Sequence, residues 1–323
     1  MRDNARVKKS TTIKEVHGYH RSNFESLKFF NSDRVINITS DYKVSENNTA
    51  STLRIAKVGS DIQSYGNEIE LTCSTINDST VLANILDLVY TRCFPSDFIR
   101  MEHDGSLYSS TSLSSAECVT QTYSKAWMRN NYAGFQAMFE YFSQFGITPG
   151  DTCCGMHVNI GLANFGKTKE AQDVAIRKFW YLVANKYQLM KVLVRREGET
   201  TYCGNVDIRN KEDVKAMDLN SMSSSHYYCM NYSHYREGRI EFRLVGGQKN
   251  FKAFRNTMEV VFWLVDVAKR LSWSDLDDLV KVFSGCNQYV LDRLSRAVDR
   301  HELDMTTYNK ISAKAIEEDF EIR

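Results

Sequence analysis

The chain has 323 residues, of which 42% are hydrophobic and 25% charged, a balance that fits a packed globular protein and excludes collagen-like, coiled-coil and disordered classes. Forty-one Lys and Arg against forty Asp and Glu leave a net charge of +1, so no global field draws the chain to nucleic acid or an anionic membrane. Eight cysteines without a CxxC pair exclude a disulfide scaffold and fit reduced thiols in the cytoplasm.

Residues 1–52 read as an N-terminal extension. Met1 to Arg6 is polar and lacks the apolar core of a signal peptide, Lys8, Lys9 and Lys14 are basic, and Phe24, Leu27, Phe29 and Phe30 predict one short helix. Residues 53–300 read as one principal domain, because the only prolines, Pro95 and Pro149, mark no Pro-rich linker. Its helical stripes are Leu82, Ile85, Leu86 and Val89; Phe135, Met138, Phe139 and Phe142, stopped at Gly146; Ile176, Phe179, Val183, Tyr187, Met190 and Val194; and Phe254, Met258, Val261, Phe262 and Val265. A fifth helix is predicted to start at Ser274, with Asp275, Asp277 and Asp278 favouring its dipole. The apolar run Val260 to Val265 ends at Asp266 and is far too short to span a bilayer. Residues 301–323, with six acidic against three basic residues, read as an acidic amphipathic helix or tail carrying Ala313, Ile316 and Phe320.

Period-two segments alternate with these helices at 67–73, 117–120, 154–161, 227–232 and 239–245. Without a regular βαβ cadence, they predict an α+β fold built on a curved, largely antiparallel sheet. Alternation along Arg239-Ile240-Glu241-Phe242-Arg243-Leu244 points Ile240, Phe242 and Leu244 into the core and sets Arg239, Glu241 and Arg243 on the other face. Glu68 and Glu70 share a strand face about 7 Å apart, as do His157 and Asn159 in Cys154-Gly155-Met156-His157-Val158-Asn159-Ile160-Gly161. Each charged row fits a solvated strand face with weak ion pairs; equally, each fits a site where carboxylates gather a divalent cation. Glu102-His103-Asp104-Gly105-Ser106-Leu107 carries a turn signal, and Glu117-Cys118-Val119-Thr120 follows it.

Taken in order, E-x-E at 68–70, D-G-S-L at 104–107, E-C-V-T at 117–120, C-G-x-H-V-x-I-G at 154–161, an arginine with Tyr202-Cys203, and E-F-R at 241–243 resemble the amidoligase family, often encoded by bacteria and phages. That family belongs to the glutamine synthetase and glutamate-cysteine ligase superfamily of carboxylate-amine ligases, and the resemblance covers roughly residues 60 to 265. It implies a glutamine synthetase-type catalytic sheet, the cofactors ATP and Mg²⁺ or Mn²⁺, and an ATP-dependent ligase that forms an amide or peptide bond through an acyl phosphate. The implied metal ligands are Glu68, Glu70, Glu117, His157 and Glu241. Arg243 would face the transferring phosphoryl group, Arg239 the nucleotide, and Arg195, Arg196 and Asn231 the substrate, while Asp104 or His103 would deprotonate the amine. Glu117-Cys118-Val119-Thr120 lacks the proline that commonly closes its motif, and Asn159 stands where a second His is often found. An amide favours a hard cation, Mg²⁺ first.

Two other classes use the same residues: a metal-dependent hydrolase, separated by ATP dependence, and a degenerate ligase domain serving as a binding or assembly protein. The expected partners are small-molecule or peptide carboxylates and amines, with no nucleic acid and no membrane, in the cytoplasm or a phage host's cytoplasm. The acid, the amine and the oligomeric state, homo-oligomer included, stay open.

Overall fold

The computed structural model describes residues 28–31, 34–37, 62–77, 79–95, 98–102, 107, 113–150, 154–196, 203–205, 210–220 and 227–315. Its centre is the strand β3 (Tyr65–Cys73), all nine of whose residues are buried. Strand β1 (Lys28–Asn31) pairs with β2 (Arg34–Asn37) and, in parallel, with β6 (Thr122–Tyr123). The other pairings among the described strands are antiparallel. β3 is flanked by β5 (Ser114–Thr120) and β8 (Met156–Gly161), β5 pairs outward with β4 (Ile99–Glu102), and β7 (Ile147–Thr148) pairs with the end of β3. Beyond β8 lie β10 (Arg239–Phe242) and β9 (Met230–Asn231). The architecture is α+β with an open, largely antiparallel sheet.

Alternation dictates what each face carries. Ile69 and Leu71 of β3, Val158 and Ile160 of β8, and Ile240 and Phe242 of β10 all lie in the core. After α1 (Ser79–Cys93), α2 (Lys125–Asn130) and α6 (Lys211–Ala216) in chain order, helix α7 (Phe251–Arg270) lies behind these core residues, capped by Asn250, whose side chain accepts from the Ala253 amide, and its stripe from Phe254 to Val265 is buried as expected. Phe254 stacks on Phe135 of α3 (Tyr132–Gln144) at 5.0 Å between centroids. Phe179 of α4 (Lys169–Asn185) meets Phe242 edge-on at 5.4 Å. Buried side chains of this size contribute about 1.5–3 kcal/mol each. Gly146, with φ 67°, ends α3 in the left-handed conformation that glycine tolerates.

Four local expectations are corrected. Phe29 and Phe30 do not extend a helix. They lie on β1, where Phe30 packs against Phe98 at 4.9 Å and Trp127 at 5.0 Å, so this part of the expected 1–52 extension belongs to the sheet. The stripe from Ile176 to Val194 is two helices, α4 and α5 (Tyr187–Leu193), broken at Lys186 where φ −114° and ψ 35° leave helical geometry. Trp273–Asp277 is a 3-10 turn, and the helix proper, α8 (Leu279–Phe283), is capped by Asp278. Within 227–232 only Met230–Asn231 is strand. Helix α9 (Gln288–Asp299) packs on α7 and α5, and α10 (Met305–Ser312) packs on α8 and α9. The predicted stripe residues Ile316 and Phe320 lie outside the described residues. No helix among the described residues is long and apolar enough to cross a membrane.

Candidate functional site

Directly opposed residues of antiparallel strands point to one face, so the registers assemble the site. Glu68 faces His157, Glu70 faces Glu117, Glu117 faces Glu102, and Glu241 faces both Asn159 and Asn231. The row is buried: Glu68, Glu70, Glu117, His157 and Glu241 are all 5–7% exposed, and Arg239 is 1% exposed. The solvated-face expectation is thereby excluded, and buried charges at this density require partners.

His157 is the hub. Its Nδ1 lies 3.2 Å from Glu68 Oε2 and 3.3 Å from Glu241 Oε1, and its Nε2 lies 3.5 Å from Glu70 Oε1. One ligand atom each from Glu68, Glu117 and His157 lie within 4.8 Å of one another. Carboxylate oxygens with a single imidazole suit Mg²⁺ or Mn²⁺.

Glu241 accepts from Asn231 Nδ2 at 2.8 Å and from Arg243 Nη1 at 2.6 Å. Burial pushes its carboxyl up, but the charges of Arg243, His157 and Arg239 and the Asn231 hydrogen bond outweigh burial and hold it below the usual carboxylate range. Arg243 Nη1 also lies 3.5 Å from His157 Nδ1, while Arg243 Nε is buried without a hydrogen-bond partner among the described residues. An orphaned donor beside a carboxylate cluster fits a phosphoryl oxygen supplied by a ligand.

Asn159 donates through Nδ2 to Glu68 Oε1 at 2.9 Å and accepts from Arg239 Nη1 at 2.5 Å. Both ends of the amide are committed, so it orients Glu68 and Arg239 instead of replacing a histidine as ligand. Asn231, expected at the substrate, is fully buried and holds Glu241. Gly155 donates its amide to Glu70 Oε2. A Cβ built at Gly155 would lie 3.0 Å from Arg196 Nη2 and 3.2 Å from Glu70 Oε2, so the glycine makes room for both groups. Arg196 donates through Nη2 to the Arg243 carbonyl at 2.9 Å and through Nε to the Leu244 carbonyl at 3.3 Å.

Arg195 has φ 63°, which is uncommon for a side-chain-bearing residue. Its carbonyl sits where a side chain at Gly246 would begin, 2.1 Å from an ideal Cβ. The Gly246 amide donates to the Val194 carbonyl at 3.0 Å, and Gly246 bridges Gly155 across the sheet. His103, Asp104 and Tyr202 lie outside the described residues.

Two residues complete the face: Arg100, which sequence reasoning missed, and Glu102, which it read as the start of a turn but which ends a strand. Arg100 and Glu102, 3% and 2% exposed, form an ion pair on β4, with Arg100 Nε donating to Glu102 Oε1 at 2.5 Å. Glu102 lies directly across from Glu117. The alternation of Ile99 and Met101 with Arg100 and Glu102 was the available signal, an R-x-E that matches Arg239-Ile240-Glu241 on the far side of the sheet.

The fold and site define an α+β protein whose open sheet carries a buried face of glutamates, one histidine and arginines. No family model matches the chain, and no curated protein matches it. Among solved structures it is similar to a bifunctional glutathione synthetase from Pasteurella multocida, with 11% sequence identity and a TM-score of 0.38, over 80% of this chain and 48% of that one. The chain therefore spans about half the length of that structure.

Proposed function

We propose that this chain is an ATP-dependent carboxylate-amine ligase, with residues 53–300 as its catalytic domain. The observation that carries the reading is the contact of two parts: a buried carboxylate and histidine cluster fit for divalent cations, and Arg243 beside it with an orphaned Nε. Phosphoryl transfer depends on positioning and charge neutralisation more than on a protein nucleophile, and this face offers both. Divalent cations held by Glu68, Glu70, Glu117, His157 and Glu241 would neutralise the phosphates of ATP and present the γ-phosphoryl group to a substrate carboxylate.

Glu241 fixes the Arg243 guanidinium through one nitrogen and leaves another to donate to a phosphoryl oxygen. Asn159 and Asn231 lock Glu68 and Glu241 in place, and Arg239 anchors Asn159. The carboxylate attacks the γ-phosphorus and ADP leaves. An amine then attacks the acyl phosphate, loses a proton and expels inorganic phosphate, leaving an amide. Asp104 is the residue we assign to take that proton.

Two measurements test the reading. ATP should bind only with Mg²⁺ or Mn²⁺, and a panel of carboxylates given hydroxylamine as the amine should yield a hydroxamate with ADP release. Metal-dependent cleavage of an amide or ester without ATP would favour a metal-dependent hydrolase; no nucleotide binding with either cation would favour a non-catalytic binding protein.

A further inference from the structure

A second feature adjoins the carboxylate face and is not used by the chemistry above. Between α5 and α9 lies a cleft of about 470 Å³ whose described lining includes Lys191, Arg195, Arg196, Arg293, Arg296 and Arg300, with Asp299 and Glu302 as its acidic members. Among the described lining residues, six cationic side chains against two acidic ones stand out in a chain whose net charge is +1. A cleft of this size suits a small molecule.

The cleft walls are built, not incidental. Arg293 is 8% exposed and donates through Nε to the Leu193 carbonyl at 2.9 Å and through Nη2 to the Val192 carbonyl, tying α9 to the end of α5. The left-handed turn at Arg195, seated against Gly246, sets where the two consecutive arginines begin. Arg196 belongs to both regions: it lines the cleft, and its Nη2 reaches the glycine that Glu70 also touches. The cleft is thus joined to the candidate metal centre through one side chain.

We infer that this cleft binds a small polycarboxylate, and, resting on the ligase reading, that it holds the distal carboxylates of the acid substrate while the reacting carboxylate reaches past Arg196 to Glu70. Arg296 and Arg300 on the exposed side of α9 carry planar forks that match carboxylates two hydrogen bonds at a time, while Arg196 and Arg293, whose Nε and Nη2 donate to main-chain carbonyls, add positive charge to the wall. Asp299 and Glu302 on the lining disfavour a more densely charged anion such as a condensed phosphate.

The test is calorimetric titration of the full chain at low salt, without nucleotide or metal, with tri-L-glutamate, citrate and inorganic pyrophosphate. Both carboxylates should bind the parent more tightly than pyrophosphate. The double reversal Arg296→Glu with Arg300→Glu, both exposed positions, should weaken them by about tenfold or more, while Lys252→Glu, 72% exposed on α7, should not. If the double variant fails to fold, Arg296→Gln, at a side chain 70% exposed, should still reduce affinity and its dependence on salt. No binding of either carboxylate to the parent, equal binding to the folded reversal variant, or preference for pyrophosphate would each overturn the inference. ATP with Mg²⁺ is titrated separately. Carboxylate binding without ATP binding keeps the cleft and sinks the ligase reading; the converse keeps the ligase and removes the cleft.

Discussion

Arg243 donates through Nη1 to Glu241 Oε1 at 2.6 Å, and its buried Nε has no hydrogen-bond partner among the described residues. A carboxylate thus fixes the guanidinium beside the glutamate and histidine cluster while one of its donors stays uncommitted within the described structure. Replacing the fork with a lysine point charge should keep ATP affinity within about tenfold while lowering turnover by roughly 10²- to 10³-fold. Equal turnover and equal hydroxamate trapping by Arg243→Lys and the parent would remove Arg243 from phosphoryl transfer.

Glu117 sits between Glu70 and Glu102 in the strand registers and belongs to the three-residue cluster with Glu68 and His157. Neutralising it relieves repulsion among neighbouring carboxylates but removes a ligand charge. Glu117→Gln should therefore hold or raise the melting temperature without metal and abolish the increase that Mg²⁺ gives the parent. A Mg²⁺-dependent increase as large as the parent's would take Glu117 out of the metal centre.

Phe242 is fully buried between strands of the sheet and the Phe179 ring. Truncation to Ala should cost about 3–5 kcal/mol, read as a lower midpoint in urea with an unchanged slope. Because its neighbours Glu241 and Arg243 face the other way, Mg²⁺ binding by the folded fraction should survive. An unchanged midpoint would mean that the ring is not packed as described.

The acid limb of stability should report on Glu259, which is 1% exposed on α7. It accepts from Arg129 Nε at 2.8 Å and Nη2 at 2.6 Å, from Tyr132 Oη at 2.6 Å and from Asn287 Nδ2 at 3.1 Å. Burial pushes its carboxyl up, yet the Arg129 hydrogen bonds and charge, with Tyr132, outweigh burial and hold it below the usual carboxylate range. A lowered folded pKa gives stability that is present above the unfolded value, near 4.3, and is lost as pH falls through the folded value. Glu259→Gln should lose about 1–3 kcal/mol at neutral pH, because it removes the charge that the half-buried Arg129 guanidinium pairs with. Its melting temperature should also fall less steeply than the parent's below about pH 4. Parallel curves for the two proteins would place the acid sensitivity elsewhere.

Much of the sheet was legible because alternation is strict where one face is packed. Glu68 with Glu70, His157 with Asn159, and Arg239 with Glu241 and Arg243 each fell on the face that the spacing assigns. Burial of that face was not legible, since a period of two separates two sides without saying what covers either. Arg100 was missed, and Glu102 read as the start of a turn, because four residues make a short alternation, and the meaning of Glu102 depends on Glu117, which only the β4 and β5 register brings opposite. The break at Lys186 was hidden for a different reason: the apolar stripes of α4 and α5 run on with helical spacing across it.

Gly246 ties these regions into one mechanical unit. Its neighbour Val245 accepts from the Met156 amide at 3.1 Å, one residue before His157, and its own amide is held by Val194, one residue before Arg195. A shift of the Arg195 turn therefore drags the backbone that carries His157 and, through the Arg196 bonds to the Arg243 and Leu244 carbonyls, the end of β10. The arginine cleft and the carboxylate face cannot be retuned separately by changes at this splice. Variants that alter ligand preference without disturbing the metal ligands are to be sought on the exposed side of α9, where Arg296 and Arg300 can change without moving Gly246.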